Sequence, residues 1–157
     1  MIRAASITRR DDVVSDRIVD VITLDHGDRH RRRIMLTADG GTKFLLDLDR
    51  ADVLEDGDAL QLETGWLVEV RAASEKLVEV QAADSLDLLA LAWHIGNRHV
   101  PAEITRDAIY IGYDHVLVEM LQGLGATTLI VERPFRPLRG AYHRHGHDHD
   151  HQGHARG

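Results

Sequence analysis

The sequence predicts an α+β chain: a small all-β N-terminal domain, a second domain with the β-α-β-β-α-β order of a ferredoxin-like fold, and a disordered histidine-rich tail. Three observations carry that expectation. Up to about residue 73 the chain consists of short β-branched runs broken by Gly and Asp turns. After residue 74, strand-like and helical periodicities alternate, and beyond Tyr142 apolar residues all but stop. The expected limits are therefore 1–73, 74–142 and 143–157.

In the first segment, residues 17–24 are rich in Ile and Val, and Asp25-His26-Gly27-Asp28 follows with the residue types a hairpin turn prefers. Residues 33–37 are the expected partner strand. Asp39-Gly40-Gly41 then turns the chain into a run over 42–48, and two acidic glycine turns, at 55–58 and 63–65, frame two further short strands. Arg29-His30-Arg31-Arg32-Arg33 is a local basic run, which on a strand reads as a solvated face. Neither a phosphate-cradling glycine loop nor a Ser or Thr with a convincing base occurs in this half, so it reads as a docking surface.

The second segment opens with a strand over 76–81. Residues 85–95 are strong helix formers, with Leu88, Leu91, Ala92 and Ile95 at the three- and four-residue spacing of one buried face. Asp84 or Ser85 is the expected N-cap and Gly96 the expected left-handed residue at the C-terminus. Strands at 103–105 and 108–111 follow about a turn at Arg106-Asp107. Asp114 caps a second helix whose Val116, Leu117, Met120, Leu121 and Leu124 share a face, Gly125 closes it, and residues 127–131 form the last strand.

Composition limits the chemistry. There is no cysteine, which excludes a disulfide framework, a thiolate metal site and a cysteine nucleophile. The formal charge of -7 argues against non-specific nucleic-acid binding. No apolar run approaches the roughly 20 residues that span a bilayer, and no signal-peptide core is present, so the expected location is cytoplasmic and without a membrane partner. Any bound metal must be held by nitrogen and oxygen.

Such ligands are concentrated in two places. The first is Gly96-Asn97-Arg98-His99-Val100-Pro101, where Pro101 forbids helix continuation and His99 lies beyond the cap, better placed than His94 to aim its ring outward. The second is the tail, with His143, His145, His147, His149 and His151 at alternate positions, then His154, interleaved by Asp148 and Asp150. Alternate residues of an extended chain lie roughly 6 to 7 Å apart on one side, so neighbouring rings can share an ion. Imidazole suits Ni(II), Cu(II) and Zn(II), and the tail alone does not choose between them. His115, in the first turn of the second helix, is a further candidate ligand, because the helix dipole there disfavours a protonated ring. A single His99 per chain is too few ligands for a tight site, whereas a two-fold axis would pair it with its own copy.

The Gly96 to Pro101 motif, Asp114-His115-Val116-Leu117, and Gly140-Ala141-Tyr142 ahead of the histidine-rich tail together resemble the UreE urease accessory proteins, a family of nickel metallochaperones. The resemblance runs over most of 75–157 and is weak in the N-terminal half. It implies a ferredoxin-like metal-binding domain, a β-domain that docks partners, and nickel as the cargo. It also implies a homodimer that hands nickel to the urease accessory GTPase UreG and on to the apo-urease complex. Departures are Tyr113, where some members carry another histidine, and Arg136 and Leu138, where relatives tend to be acidic.

Two other functions fit parts of the pattern. A general Ni, Cu or Zn buffer needs the tail but no His99 site. A metallohydrolase would need Asp114 beside His99 and His115, but Asp114 and His115 are adjacent on a helix and point to different faces, so the chain reads as non-enzymatic.

Overall fold

Residues 1–139 are described in the computed structural model of the chain. They form mostly strands and two α-helices in two compact units: Met1–Val78 with Leu129–Arg136, and Glu79–Thr128 with the described residues 137–139. Among the described residues no helix is long and apolar enough to cross a membrane.

Six strands build the first sheet: β1 (Arg3–Thr8), β2 (Ile18–Leu24), β3 (His30–Thr37), β4 (Lys43–Val53), β5 (Ala59–Leu62) and β6 (Leu67–Ala72), in the order β2-β6-β5-β1-β4-β3. Period-2 burial sets which side faces inward. On β4, Phe44, Leu46 and Leu48 are buried, and they join Ile22 and Leu24 of β2 with Val68 and Val70 of β6 in one apolar cluster.

The expected hairpin between β2 and β3 does not form. β2 instead pairs parallel with β6, through Val21↔Glu69 and Leu24↔Ala72, while β3 pairs antiparallel with β4, through Ile34↔Leu46 and Thr37↔Lys43. The reason lies in the turn. The Arg29 amide donates back to the Asp25 and His26 carbonyls at 3.0 and 3.2 Å, so the chain coils through a helical turn rather than reversing in two residues. The basic run also divides: Arg31, Arg32 and Arg33 are exposed, but Arg29 is buried.

Asp20 closes the free side of β2. Its carboxylate accepts from Gly40 N at 2.8 Å and Thr42 N at 3.1 Å in the β3–β4 turn, while Asp39 N donates to the Val21 carbonyl at 2.7 Å. A Cβ on Gly40 would meet Asp20 Oδ1 at 2.7 Å, so any larger residue here would have to displace the carboxylate that makes these bonds. Hydrogen bonding from Thr42, supported by the Val21 and Gly40 amides and opposed by burial, lowers the Asp20 pKa from 3.8 to about 2. A carboxylate with a depressed folded pKa contributes stability that is full above its unfolded pKa and is lost as pH falls through the folded one. Asp20→Asn is therefore expected to destabilise the domain at pH 7. The difference from the parent should shrink between pH 4 and pH 2, as read by urea unfolding at each pH. An equal difference at both ends of that window would contradict the assignment.

The remaining strands, β7 (Ser74–Gln81), β8 (Ala102–Ile104), β9 (Ile109–Gly112) and β10 (Thr127–Pro134), form a sheet ordered β10-β7-β9-β8. Helix α1 (Ser85–Asn97) lies between β7 and β8 in sequence, and α2 (His115–Gly123) between β9 and β10. Both N-caps are aspartates, as expected: Asp84 accepts from Asp87 N, and Asp114 from Val116 N and Leu117 N. Helix α1 buries Leu88, Leu91 and Ile95. Helix α2 buries only Leu117 and Leu121, leaving Val116 65% and Leu124 47% exposed, because its nine residues offer a single i, i+4 pair inward.

Candidate metal centre

The loop after α1 differs from expectation in one informative way. Gly96 does not take the left-handed conformation: the helix continues through Gly96 to Asn97, Arg98 is the C-cap at φ -98, and His99 follows with φ 59. His99 is the only non-glycine residue with positive φ among those described. Histidine tolerates this region better than β-branched residues do, but it still costs of order 1 kcal/mol relative to an ordinary conformation. Its amide donates to the Gly96 carbonyl at 3.0 Å, so the turn is fixed by the main chain and the side chain is exposed. A strained backbone that holds an imidazole in solvent is an arrangement suited to a ligand.

The other candidates separate around it. His94, in the last turn of α1, is half-buried with its ring edge-on to Trp93 at 5.1 Å. His115 is the first residue of α2 and is exposed, while its neighbour Asp114 is engaged in capping the helix. His26 packs edge-on to Phe135 at 5.3 Å, where burial, with Arg29 second, lowers its pKa. Among the described residues no three or more His, Asp or Glu side chains converge as a metal cluster. The tail ligands expected from sequence, His143, His145, His147, His149, His151 and His154, lie outside the described residues.

Two features near His99 were not anticipated from sequence. The Leu138 amide donates to the Ala102 carbonyl at 2.9 Å, so the chain leading to the tail is tied down three residues past His99. No local pattern announces a main-chain bond across this separation. The second is a stripe on α1: Leu86, Leu89 and Trp93 are 74%, 68% and 64% exposed. Its i, i+3, i+7 spacing is visible in the sequence beside the buried stripe, and a helix apolar on two sides is a signal for a partner.

The UreE urease accessory protein C-terminal domain model matches residues 75–157, and the corresponding N-terminal domain model matches 5–73. The chain is 58% identical over 155 residues to urease accessory protein UreE of Azorhizobium caulinodans, covering 99% of this chain and 74% of the relative. It is 54% identical over 156 residues to urease accessory protein UreE of Chelativorans sp., covering 98% and 96%. Similarity to the protein of that name from Agrobacterium fabrum is 53% over 125 residues, covering 80% and 78%.

Proposed function

The chain belongs to the UreE family of urease accessory proteins, and from that membership we propose that it is a homodimeric nickel chaperone, delivering Ni(II) for assembly of the urease centre. His99 from each of two copies holds the ion, with histidines of the tail, His143 and His145 first, completing its coordination. His115 and the remaining tail histidines are auxiliary ligands that can also take Cu(II) or Zn(II). The ion then passes to the urease accessory GTPase and the apo-urease complex. Exchangeable nitrogen ligands on a tail favour that transfer, since they can be replaced one at a time. The protein itself performs no catalysis.

The observation that carries the reading is the exposed His99 at φ 59, with Leu138 fastened to Ala102 three residues further on. His143 is five residues beyond Leu138, a reach of roughly 17 Å when extended. The domain assignment follows the same reading: residues 1–73 dock partners, and residues 74–142 form a ferredoxin-like metal-binding and dimerisation domain. The strand order β10-β7-β9-β8, with the two helices in the second and fifth positions of the chain order, supports it.

Dimerisation is supported by Leu86, Leu89 and Trp93, which lie on the helix that ends at the His99 loop. A self-complementary contact along this stripe brings the two copies of that loop together. Replacing Leu89 by Glu is expected to halve the mass in solution measured by light scattering, and to weaken nickel binding by a chain ending at Tyr142 by more than about tenfold. A Leu89→Glu protein that remains a dimer with unchanged nickel affinity would sink this arrangement.

A further inference from the structure

We propose that His26 is a proton-operated lock inside the β-domain: its neutral ring holds the turn ahead of β3 against Phe135, the residue that follows β10, and protonation opens that contact. Every residue involved belongs to one compact unit. The lock needs neither metal nor a second copy, so it stands or falls apart from the nickel reading.

The lock is built beside a charge that cannot move away. Arg29 is 2% exposed, and its guanidinium is directed at main-chain carbonyls. Nε donates to Leu24 at 3.2 Å, Nη1 to Leu54 at 3.4 Å, and Nη2 to Phe135. A guanidinium keeps its proton at pH 7 and below, and its burial is tolerable only while its donors are satisfied, so Arg29 is a fixed positive charge in the turn that carries His26. The Arg29 amide closes this turn on the Asp25 and His26 carbonyls, and Leu54 N donates to the Arg29 carbonyl at 2.7 Å. Phe135 is 4% exposed, with its ring edge-on to the half-buried His26 ring at 5.3 Å. The imidazole therefore helps to cover a buried phenylalanine whose carbonyl the guanidinium grips.

Charges reach His26 from each element around it. Asp25, Arg29 and His30 come from its own turn and the start of β3, and Glu75 comes from β7, where its carboxylate accepts from His26 N at 2.8 Å. Phe135 brings none, and Arg136 next to it is paired with Asp56 at 3.0 Å. Burial first, then Arg29 with His30 behind it, holds the imidazole below its ordinary 6.5, and the opposing Glu75 and Asp25 do not prevail. A histidine whose folded pKa lies below its unfolded one supports the closed state fully above pH 6.5, and that support is lost as pH falls through the folded value. In acid the ring gains water and distance from Arg29 by leaving Phe135. Opening bares the Phe135 side chain and loosens the turn between β2 and β3.

The test uses the full chain without metal. Proton NMR follows the His26 ring from about pH 8 to about pH 4.5, its signal identified by its absence from His26→Gln. The expected midpoint lies below 6.5, and a midpoint at or above that value overturns the lock. Amide hydrogen exchange gives the second readout, with the Arg29 and Leu54 amides as reporters and rates corrected for the intrinsic pH dependence of exchange. In the parent their protection should fall at least about threefold between pH 7 and pH 5. In His26→Phe, which keeps an uncharged ring on Phe135, it should stay near level. His26→Gln, which has neither ring nor charge, should also stay near level, at a lower protection. Equal falls in the parent and both variants overturn the lock, because the acid response then arises elsewhere, and so does level protection in the parent.

Discussion

Asp58→Ala is expected to cost the N-terminal domain about 3–5 kcal/mol, a large share of the total stability of a small domain. The Asp58 side chain is 4% exposed, and its two oxygens accept from Arg9 Nη1 at 2.8 Å, Glu55 N at 2.9 Å and Arg10 N at 3.0 Å. Alanine would leave two main-chain donors without this acceptor, and would remove the carboxylate facing a guanidinium that also binds Asp52 at 2.8 Å and the Val53 carbonyl at 3.1 Å. One carboxylate therefore joins the turn ahead of β5 to the segment after β1. Arg3 and Asp47 provide the contrast. They approach to 2.6 Å, closer than any contact of Asp58, yet the Arg3 side chain is 52% exposed and its loss should cost under about 1 kcal/mol. Burial, not distance, decides which ion pair matters. Urea unfolding followed by Trp66 fluorescence checks both variants, and a loss below about 1 kcal/mol for Asp58→Ala would refute the ranking.

Local chemistry was legible in the sequence. Asp84 and Asp114 cap their helices, the Asp39-Gly40-Gly41 turn joins β3 to β4, and Leu88, Leu91 and Ile95 face inward, because each of these depends on neighbours within a few residues. Pairing was less legible. Nothing in residues 18–24 says that the partner is a parallel strand at 67–72, since parallel pairing is settled by which edges remain after the sheet assembles. Arg29 was hidden in a basic run, and its burial depends on the Leu24, Leu54 and Phe135 carbonyls, two of which are far away in sequence.

In the loop after α1 the helix end was readable to within two residues, but the left-handed conformation was expected at Gly96 and stands at His99. Gly96 is the conventional helix terminator, yet the helix absorbs it and places the left-handed turn on His99. That displacement strengthens the case for His99, because a glycine at position 99 would adopt the same conformation without cost. The second apolar stripe of α1 was likewise present in the sequence, but the inward face alone explained the helix. Arg136, a departure from the family pattern, has a structural role here through Asp56.

The most direct measurement is a nickel titration with mass in solution recorded alongside, on a chain ending at Tyr142 and on the same chain carrying His99→Gly or His99→Ala. The parent is expected to be a dimer that binds one ion per two chains. His99→Gly should keep the dimer, gain up to about 1 kcal/mol of stability from relief of the left-handed backbone, and bind nickel about 100-fold more weakly or not at all. His99→Ala should lose nickel equally without that gain. A dimer that binds its ion as tightly with glycine at position 99, or a parent that binds one ion per monomer, would contradict a centre shared between paired His99 side chains.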